Sequence, residues 1–242
     1  LLKKQLEKLG RTKGALVVMD PSNGDLIAAV SYPVPAEMPP HLSPPDADDA
    51  MLDRARYGLY PPGSSFKIVT AIAALRRDPS AAAQTYDCKA LGDGRVGNYV
   101  KGWSRPIRDD VQDKAAHGSV DMRKGIVVSC NAYFAQLGTY RVQAEALLET
   151  ANLLGISVAS PATAKNLRNS IPQASYGQGQ VVASPFQMAR VAATIAANGS
   201  APLGRWITDE NNSRVQAPAA ILQPHLASQI GSFMRGVVTS GT

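Results

Sequence analysis

Apolar and polar positions divide this chain into a few strongly patterned stretches separated by loop. LLKKQLEKL over residues 1–9 sets Leu1, Leu2, Leu6 and Leu9 at helical spacing among lysines, which predicts a short amphipathic helix. Two apolar runs come next, 14–20 and 25–31, joined by Pro21-Ser22-Asn23-Gly24. An Asn-Gly pair between two such runs is a strong hairpin signal, so both runs read as antiparallel strands. Prolines at 33, 35, 39, 40, 44 and 45 then forbid regular structure and predict a long exposed loop from 32 to 49, of the kind that often rims a functional site.

After Pro61-Pro62-Gly63 the pattern changes to SSFKIVTAIAALRR over 64–77, almost wholly apolar beyond Lys67. A helix that is apolar all round is a buried one. Ser64 is a good N-cap residue, and Arg76 and Arg77 at the far end suit the helix dipole. Residues 86–118 are glycine-rich and polar, a loop region with short strands at most. Helices are predicted over 121–138, 142–154, 184–197 and 218–238. One hairpin followed by many helices indicates an α+β domain in which an antiparallel sheet is flanked by helices. Two strands alone are marginally stable, so three further strands are expected after Thr242.

Composition narrows the class. At 242 residues, 45% hydrophobic and 18% charged, the chain can bury a large core and is neither disordered nor a coiled coil. Its net charge of +6 is spread out, with no basic run longer than Lys3-Lys4 or Arg76-Arg77, so no nucleic-acid module is identified. Two cysteines cannot form a disulfide framework. Three scattered histidines (His41, His117, His225) without a Cys-x-x-Cys spacing predict no zinc site. No cofactor is expected. The chain opens at Leu1 without an initiator Met and carries no apolar stretch near 18 residues, so it reads as a piece of a longer protein.

Ser64 and Lys67 carry the candidate chemistry. At i and i+3 of a helix their side chains share a face, close enough to exchange a proton. Serine is a weak nucleophile until a neighbour takes its proton, and a desolvated lysine can do so because burial lowers its pKa. A helix start also offers free backbone N–H groups to a developing oxyanion. With 19 Ser and 10 Lys, however, Ser-x-x-Lys arises about 0.8 times by chance, and Ser129-Cys130-Asn131 is equally cheap taken alone. What raises both is their setting at the edges of apolar helices.

RARYGLYPPGSSFK over 54–67 closely resembles the nucleophile segment of penicillin-binding protein transpeptidases. HGSVD over 117–121 with VSCNAYF over 128–134 is similar to the family's second motif. SYGQG over 175–179, SPFQMA over 184–189 and ANG over 197–199 come in family order, and GALVVMDPSNGDLIA over 14–28 resembles its first hairpin. The superfamily's motif set is Ser-x-x-Lys, Ser-Asp-Asn and Lys-Thr-Gly; Cys130 replaces the Asp common in related hydrolases, and Ser-Cys-Asn is familiar among transpeptidases. Residues 57–67 look more like the monofunctional, class B branch.

The resemblance implies a peptidoglycan D,D-transpeptidase that crosslinks stem peptides and is acylated by β-lactams. In it Ser64 is the nucleophile, Lys67 the base, Ser129 a proton relay and Asn131 the residue that holds the substrate amide. It further implies location on the periplasmic side of the inner membrane, and a membrane-embedded glycan polymerase or a divisome or elongation partner. Residues 1–13 would end a preceding linker or pedestal, and 14–242 would be a transpeptidase domain cut before its Lys-Thr-Gly strand, a motif this sequence lacks.

Other readings stay open. The same fold supports D,D-carboxypeptidases and β-lactamase-type hydrolases, and a non-catalytic penicillin-binding sensor domain is a different class. Glu149 resembles a deacylating glutamate only loosely and is better explained by a solvated helix face. Cys130 reads as a small apolar packer, His117 as a turn residue, and the segment 176–179 as scaffold.

Overall fold

The computed structural model describes residues 1–34, 49–206 and 217–241. Most of the proline-rich loop, with His41, lies outside them. The amphipathic start forms helix α1 (Leu2–Lys8), whose Leu6 is buried against Gly14 at the start of the first strand. Strands β1 (Gly14–Met19) and β2 (Leu26–Tyr32) pair antiparallel, with a register shift between Val18 and Met19, so the hairpin forms where the Asn-Gly turn places it. Asp25 at its turn is held by Arg205, whose Nη2 donates to Oδ2 at 2.7 Å while Nε donates to Oδ1.

Helix α2 (Lys67–Arg77) is central, as its apolar sequence requires. Phe66, just before it, and Val69, Ile72 and Leu75 within it are fully or almost fully buried. The start differs from expectation. Gly63–Phe66 is a 3₁₀ turn, and Ser64 makes no capping hydrogen bond. Its hydroxyl faces the Lys67 amine instead.

The polar stretch after α2 is more ordered than its composition suggests. Strands β3 (Tyr86–Ala90), β4 (Val96–Asn98), β5 (Ile107–Arg108) and β6 (Gly118–Val120) form a four-stranded antiparallel sheet in the order β5-β4-β3-β6. The hairpin is therefore not the protein's only sheet. These strands are two to five residues long, too short to show a period of two in the sequence.

The helix expected over 121–138 is two helices, α3 (Met122–Val127) and α4 (Asn131–Leu137). Each opens on its own side-chain cap: Asp121 accepts from Lys124 N at the start of α3, and Cys130 Sγ accepts from Tyr133 N at the start of α4. A π turn over Gly138–Val142 leads into α5 (Gln143–Leu153). The short helices α6 (Ala164–Arg168) and α7 (Ile171–Ala174) precede α8 (Pro185–Ala196), which opens on a full capping box between Ser184 and Gln187. Strands β7 (Ser200–Ala201) and β8 (Ala219–Ala220) pair, and α9 (Pro224–Ser240) ends the described chain. The final helix thus begins later than expected, at Pro224. Among the described residues no helix is long and apolar enough to cross a membrane.

One continuous core joins these parts: Ile72 and Leu75 of α2, Tyr133 and Leu137 of α4, Leu147 of α5 and Ile230 of α9 are all essentially inaccessible. The result is an α+β domain whose antiparallel strands are flanked by helices, with the N-terminal end of α2 reaching the surface through Ser64 and Ser65.

Candidate active site

The turn before α2 separates its two serines. Ser64 and Ser65 are both exposed, yet Ser65 Oγ donates to Pro62 O at 2.7 Å and is used up in the turn. Ser64 Oγ instead lies 3.1 Å from Lys67 Nζ. Gly63 makes the turn possible. It has φ of +57°, and its N–H donates to Gly177 O at 3.0 Å. Gly177, at φ of +78°, packs so closely that a Cβ there would sit 2.1 Å from Gly63 O. The segment around Tyr176 thus braces the serine turn from behind, in agreement with its reading as scaffold. Thr70 Oγ1 adds a buried hydrogen bond to Ser175 O at 2.8 Å.

Lys67 is 2% exposed, and its Nζ meets three oxygens: Ser64 Oγ at 3.1 Å, Ser129 Oγ at 2.9 Å and Ser129 O. Three acceptors match the three N–H bonds of an ammonium. When the amine is neutral, its lone pair must face one of the two hydroxyls, which can then donate to it. Burial favours that form and draws Lys67 down from the usual lysine range to about 8, against the opposing charge of Asp109. At that value about a tenth of the molecules carry a neutral amine at pH 7.

Ser129 reaches Lys67 through an unusual backbone. Its φ is +53°, the left-handed region that costs a non-glycine residue about 1–2 kcal/mol. That conformation ends α3 and aims both its hydroxyl and its carbonyl at the amine. Two residues on, Asn131 opens α4, and its Nδ2 donates to Arg108 O at 3.1 Å. Ser64, Lys67, Ser129 and Asn131, scattered through the sequence, thus lie on two adjoining turns, with the first three in direct contact.

These three residues open onto a cavity of about 430 Å³ whose other walls, Ser65 apart, are apolar, including Ile68, Ile126, Met188, Val191 and Met234. A larger cavity, about 630 Å³, lies between the β1–β2 turn and the α8–β7 connection. Among the described residues that line it there is no nucleophile beside a base, and the one cation, Arg205, is already paired with Asp25.

Glu149 is remote from this chemistry. Its side chain is 66% exposed and accepts from Arg76 Nη2 at 2.9 Å, at the opposite end of α2 from Ser64. The solvated-face reading of Glu149 holds.

Cys130 and His117 are not the bland residues their surroundings in sequence suggested. Cys130 Sγ lies 3.1 Å from Asp109 Oδ2, and Cys88 Sγ lies 3.1 Å from the same oxygen. His117 Nδ1 is 3.1 Å from it as well. The four donor atoms all fall within 4.8 Å of one another, a grouping of metal-ligating type where the scattered cysteines and histidines predicted none. Asp109 was missed altogether. It is 2% exposed, lies within electrostatic reach of Lys67, and stands inconspicuously in Arg108-Asp109-Asp110.

Known proteins share this architecture. The curated peptidoglycan D,D-transpeptidase PbpA of Mycobacterium tuberculosis is 30% identical over 214 residues, spanning 78% of this chain and 42% of that relative. Peptidoglycan D,D-transpeptidase MrdA of Acinetobacter baumannii is 28% identical over 222 residues, with 80% of this chain and 32% of the relative covered. The chain therefore spans less than half the length of the curated relatives it matches. The crystal structure of PBPA from Mycobacterium tuberculosis superposes with a TM-score of 0.74 at 22% identity, covering 94% of this chain and 58% of that one. The apo transpeptidase domain of Burkholderia pseudomallei penicillin-binding protein 3 gives 0.73 at 23% identity, covering 99% and 66%. At these identities the superpositions establish the fold. The family model described as penicillin binding protein transpeptidase domain matches residues 14–242, from the first residue of β1 onward, and to that family this chain belongs.

Proposed function

We propose that this chain is the catalytic part of a peptidoglycan D,D-transpeptidase working through a serine acyl-enzyme, with Ser64 as nucleophile. The observation that carries this reading is the placement of one buried amine, Lys67, against the hydroxyls of both Ser64 and Ser129. In its neutral form Lys67 takes the Ser64 proton as Oγ attacks the carbonyl of a D-Ala-D-Ala stem peptide. The tetrahedral adduct collapses by breaking the C–N bond. The departing amine receives a proton from Lys67 through Ser129, which returns Lys67 to neutrality. An amine of a second stem peptide then attacks the ester, and the same relay runs in reverse to free Ser64. Asn131, on the turn after Ser129, is the residue suited to hold the substrate amide.

A β-lactam imitates the first half of this sequence and stays attached. A structure of Mycobacterium tuberculosis penicillin-binding protein A that superposes here with a TM-score of 0.72 is a ceftriaxone acyl-enzyme complex. The position of Glu149, outside the site and paired with Arg76, favours a long-lived adduct over β-lactamase-type hydrolysis. Residues 14–242 form the transpeptidase domain in this reading, and residues 1–13 lead into it from a linker or pedestal. The enzyme acts on the periplasmic face of the inner membrane beside a membrane-embedded glycan polymerase of the divisome or elongation machinery.

Treatment of the full-length protein with labelled penicillin, followed by peptide mapping, tests the assignment. The adduct is expected on Ser64 and is lost in Ser64→Ala. An adduct on Ser65, or labelling that survives Ser64→Ala, contradicts it.

A further inference from the structure

Helices α2 and α4 carry the two halves of the site, and they face each other at two points. The first is direct: Lys67 Nζ lies 6.0 Å from the centre of the Phe134 ring on α4. The second is bridged. Thr70, three residues along α2 from Lys67, donates through Oγ1 to Ser175 O at 2.8 Å. The side chain of Ser175 meets Gly138, the C-cap of α4 and four residues beyond Phe134. Residues three or four apart share a helix face, so Lys67 with Thr70 and Phe134 with Gly138 form two matched rows. We propose that Ser175 is the spacer between these rows, setting the distance from α2 to α4 and with it the contact of Lys67 with Ser129. Thr70 and Ser175 are then positioning residues for acylation, an assignment that rests on the roles given above to Ser64 and Lys67.

The fit around Ser175 is close. Ser175 and Thr70 are wholly inaccessible, and Gly138 is buried. A Cβ on Gly138 would sit 1.7 Å from Ser175 Oγ and 2.6 Å from its Cβ, so α4 can approach this far only because its C-cap has no side chain. Ser175 Oγ donates to Ile171 O at 2.6 Å, and Ser175 N donates to the same carbonyl at 3.0 Å. Both of its donors are thus tied to α7, and the spacer cannot turn away on its own.

Thr70 is the polar exception on this part of α2, where Val69, Ala71, Ile72 and Ala73 are buried and apolar. A valine would fill the same space with the same branching. The hydroxyl of a helical threonine commonly returns to a carbonyl of its own preceding turn. Here it leaves the helix to reach Ser175. Two residues on, Gly177 O accepts the Gly63 N–H at 3.0 Å. Residues 175–177 therefore hold α2 at two places, Thr70 and the turn before Ser64, while Gly138 bears on the side chain of Ser175. Ser129 lies two residues before α4 begins, and its Oγ is 2.9 Å from Lys67 Nζ. A movement of α4 relative to α2 would break that contact first.

The experiment follows penicillin acylation of Ser64 in the full-length protein, at saturating antibiotic and well below the melting temperature. Thr70→Val removes the hydrogen bond and keeps the shape. It should slow the first-order acylation step by about 10–100-fold, the scale of a small misplacement, with little change in the half-saturating concentration. Thr70→Ser restores the hydroxyl and should recover most of the rate. Gly138→Ala should slow the step as well, and adding Ser175→Gly, which frees the space that the new methyl needs, should recover part of it. The crystal structure of Thr70→Val should show Lys67 Nζ and Ser129 Oγ beyond hydrogen-bond reach. Ile156→Val, a buried change outside these rows, should lower melting without slowing acylation. A Thr70→Val protein that acylates at the wild-type rate, or is slowed with the Lys67–Ser129 contact intact, overturns the spacer role and leaves the transpeptidase reading standing. Should Thr70→Val fail to fold, equal rates in wild type and Gly138→Ala overturn it instead. Wild-type protein that penicillin does not label at Ser64 overturns the transpeptidase reading, and the spacer's role in acylation falls with it.

Discussion

Two buried polar clusters meet at the start of α4, and they were built in opposite ways. The Ser64–Lys67 pair comes from a single turn of chain: three residues of separation and a buried helix bring the hydroxyl and the amine together. The Cys88–Asp109–His117–Cys130 cluster comes from four segments, and it exists only because the small sheet folds against α4. The two are joined through one peptide unit, Ser129 to Cys130. A local pair keeps its geometry as long as its helix stays buried. A cluster gathered over long range depends on every strand that contributes to it. The serine–lysine pair should therefore tolerate changes in the sheet, while the orientation of Ser129 should not.

The sharpest way to break the local pair is Lys67→Arg. Arginine stays protonated and cannot accept the Ser64 proton. Acylation by penicillin should fall about 10²–10⁴-fold, the usual scale of a lost general base, in a protein that still melts cooperatively. A rate within a few-fold of wild type removes Lys67 from that role.

Gly177→Ala probes the support behind the pair. The new Cβ would meet Gly63 O at 2.1 Å in a backbone conformation that L side chains rarely adopt. Relief requires the serine turn to shift, so stability should drop by about 1–3 kcal/mol and acylation should slow in parallel. Unchanged melting and labelling would mean that the brace is not needed.

The smallest effect is expected far from both clusters. Asp25 and Arg205 form a bidentate pair, but their side chains are 28% and 36% exposed. Asp25→Asn should therefore leave stability almost unchanged, and any loss should shrink further in high salt. A larger change in chemical denaturation would give the hairpin turn a structural weight this account denies it.

The same contrast explains what could be read from the sequence. The hairpin, α2 and α8 carry their own signals in an Asn-Gly turn, an unbroken apolar run and a capping box, and they form close to where those signals fall. The meeting of Ser64 with Lys67 was legible for the same reason. The break between α3 and α4 was not, because a left-handed Ser129 is held by its contacts with Lys67, which are distant in sequence. Ser64 was misread as a cap, since a hydroxyl that meets an amine looks the same in sequence as one that meets a backbone N–H. The four-stranded sheet has strands too short for periodicity. Nothing in the spacing of Cys88, Asp109, His117 and Cys130 announces that they meet.

The central claim is that a buried, partly neutral Lys67 activates Ser64, and the pH dependence of the acylation rate constant tests it most directly. Burial lowers Lys67 to about 8, and its neutral form is the base. The rate should therefore climb tenfold per pH unit below that value and level off above it. The same shift has a sign in stability: between about 8 and the ordinary lysine value near 10.4 the unfolded chain holds more protons, so the fold should strengthen as pH rises through that window. An inflection in the rate near pH 8 that disappears in Lys67→Arg is the result the account predicts. A rate that is flat from pH 6 to 9, or an inflection that persists in Lys67→Arg, would contradict it.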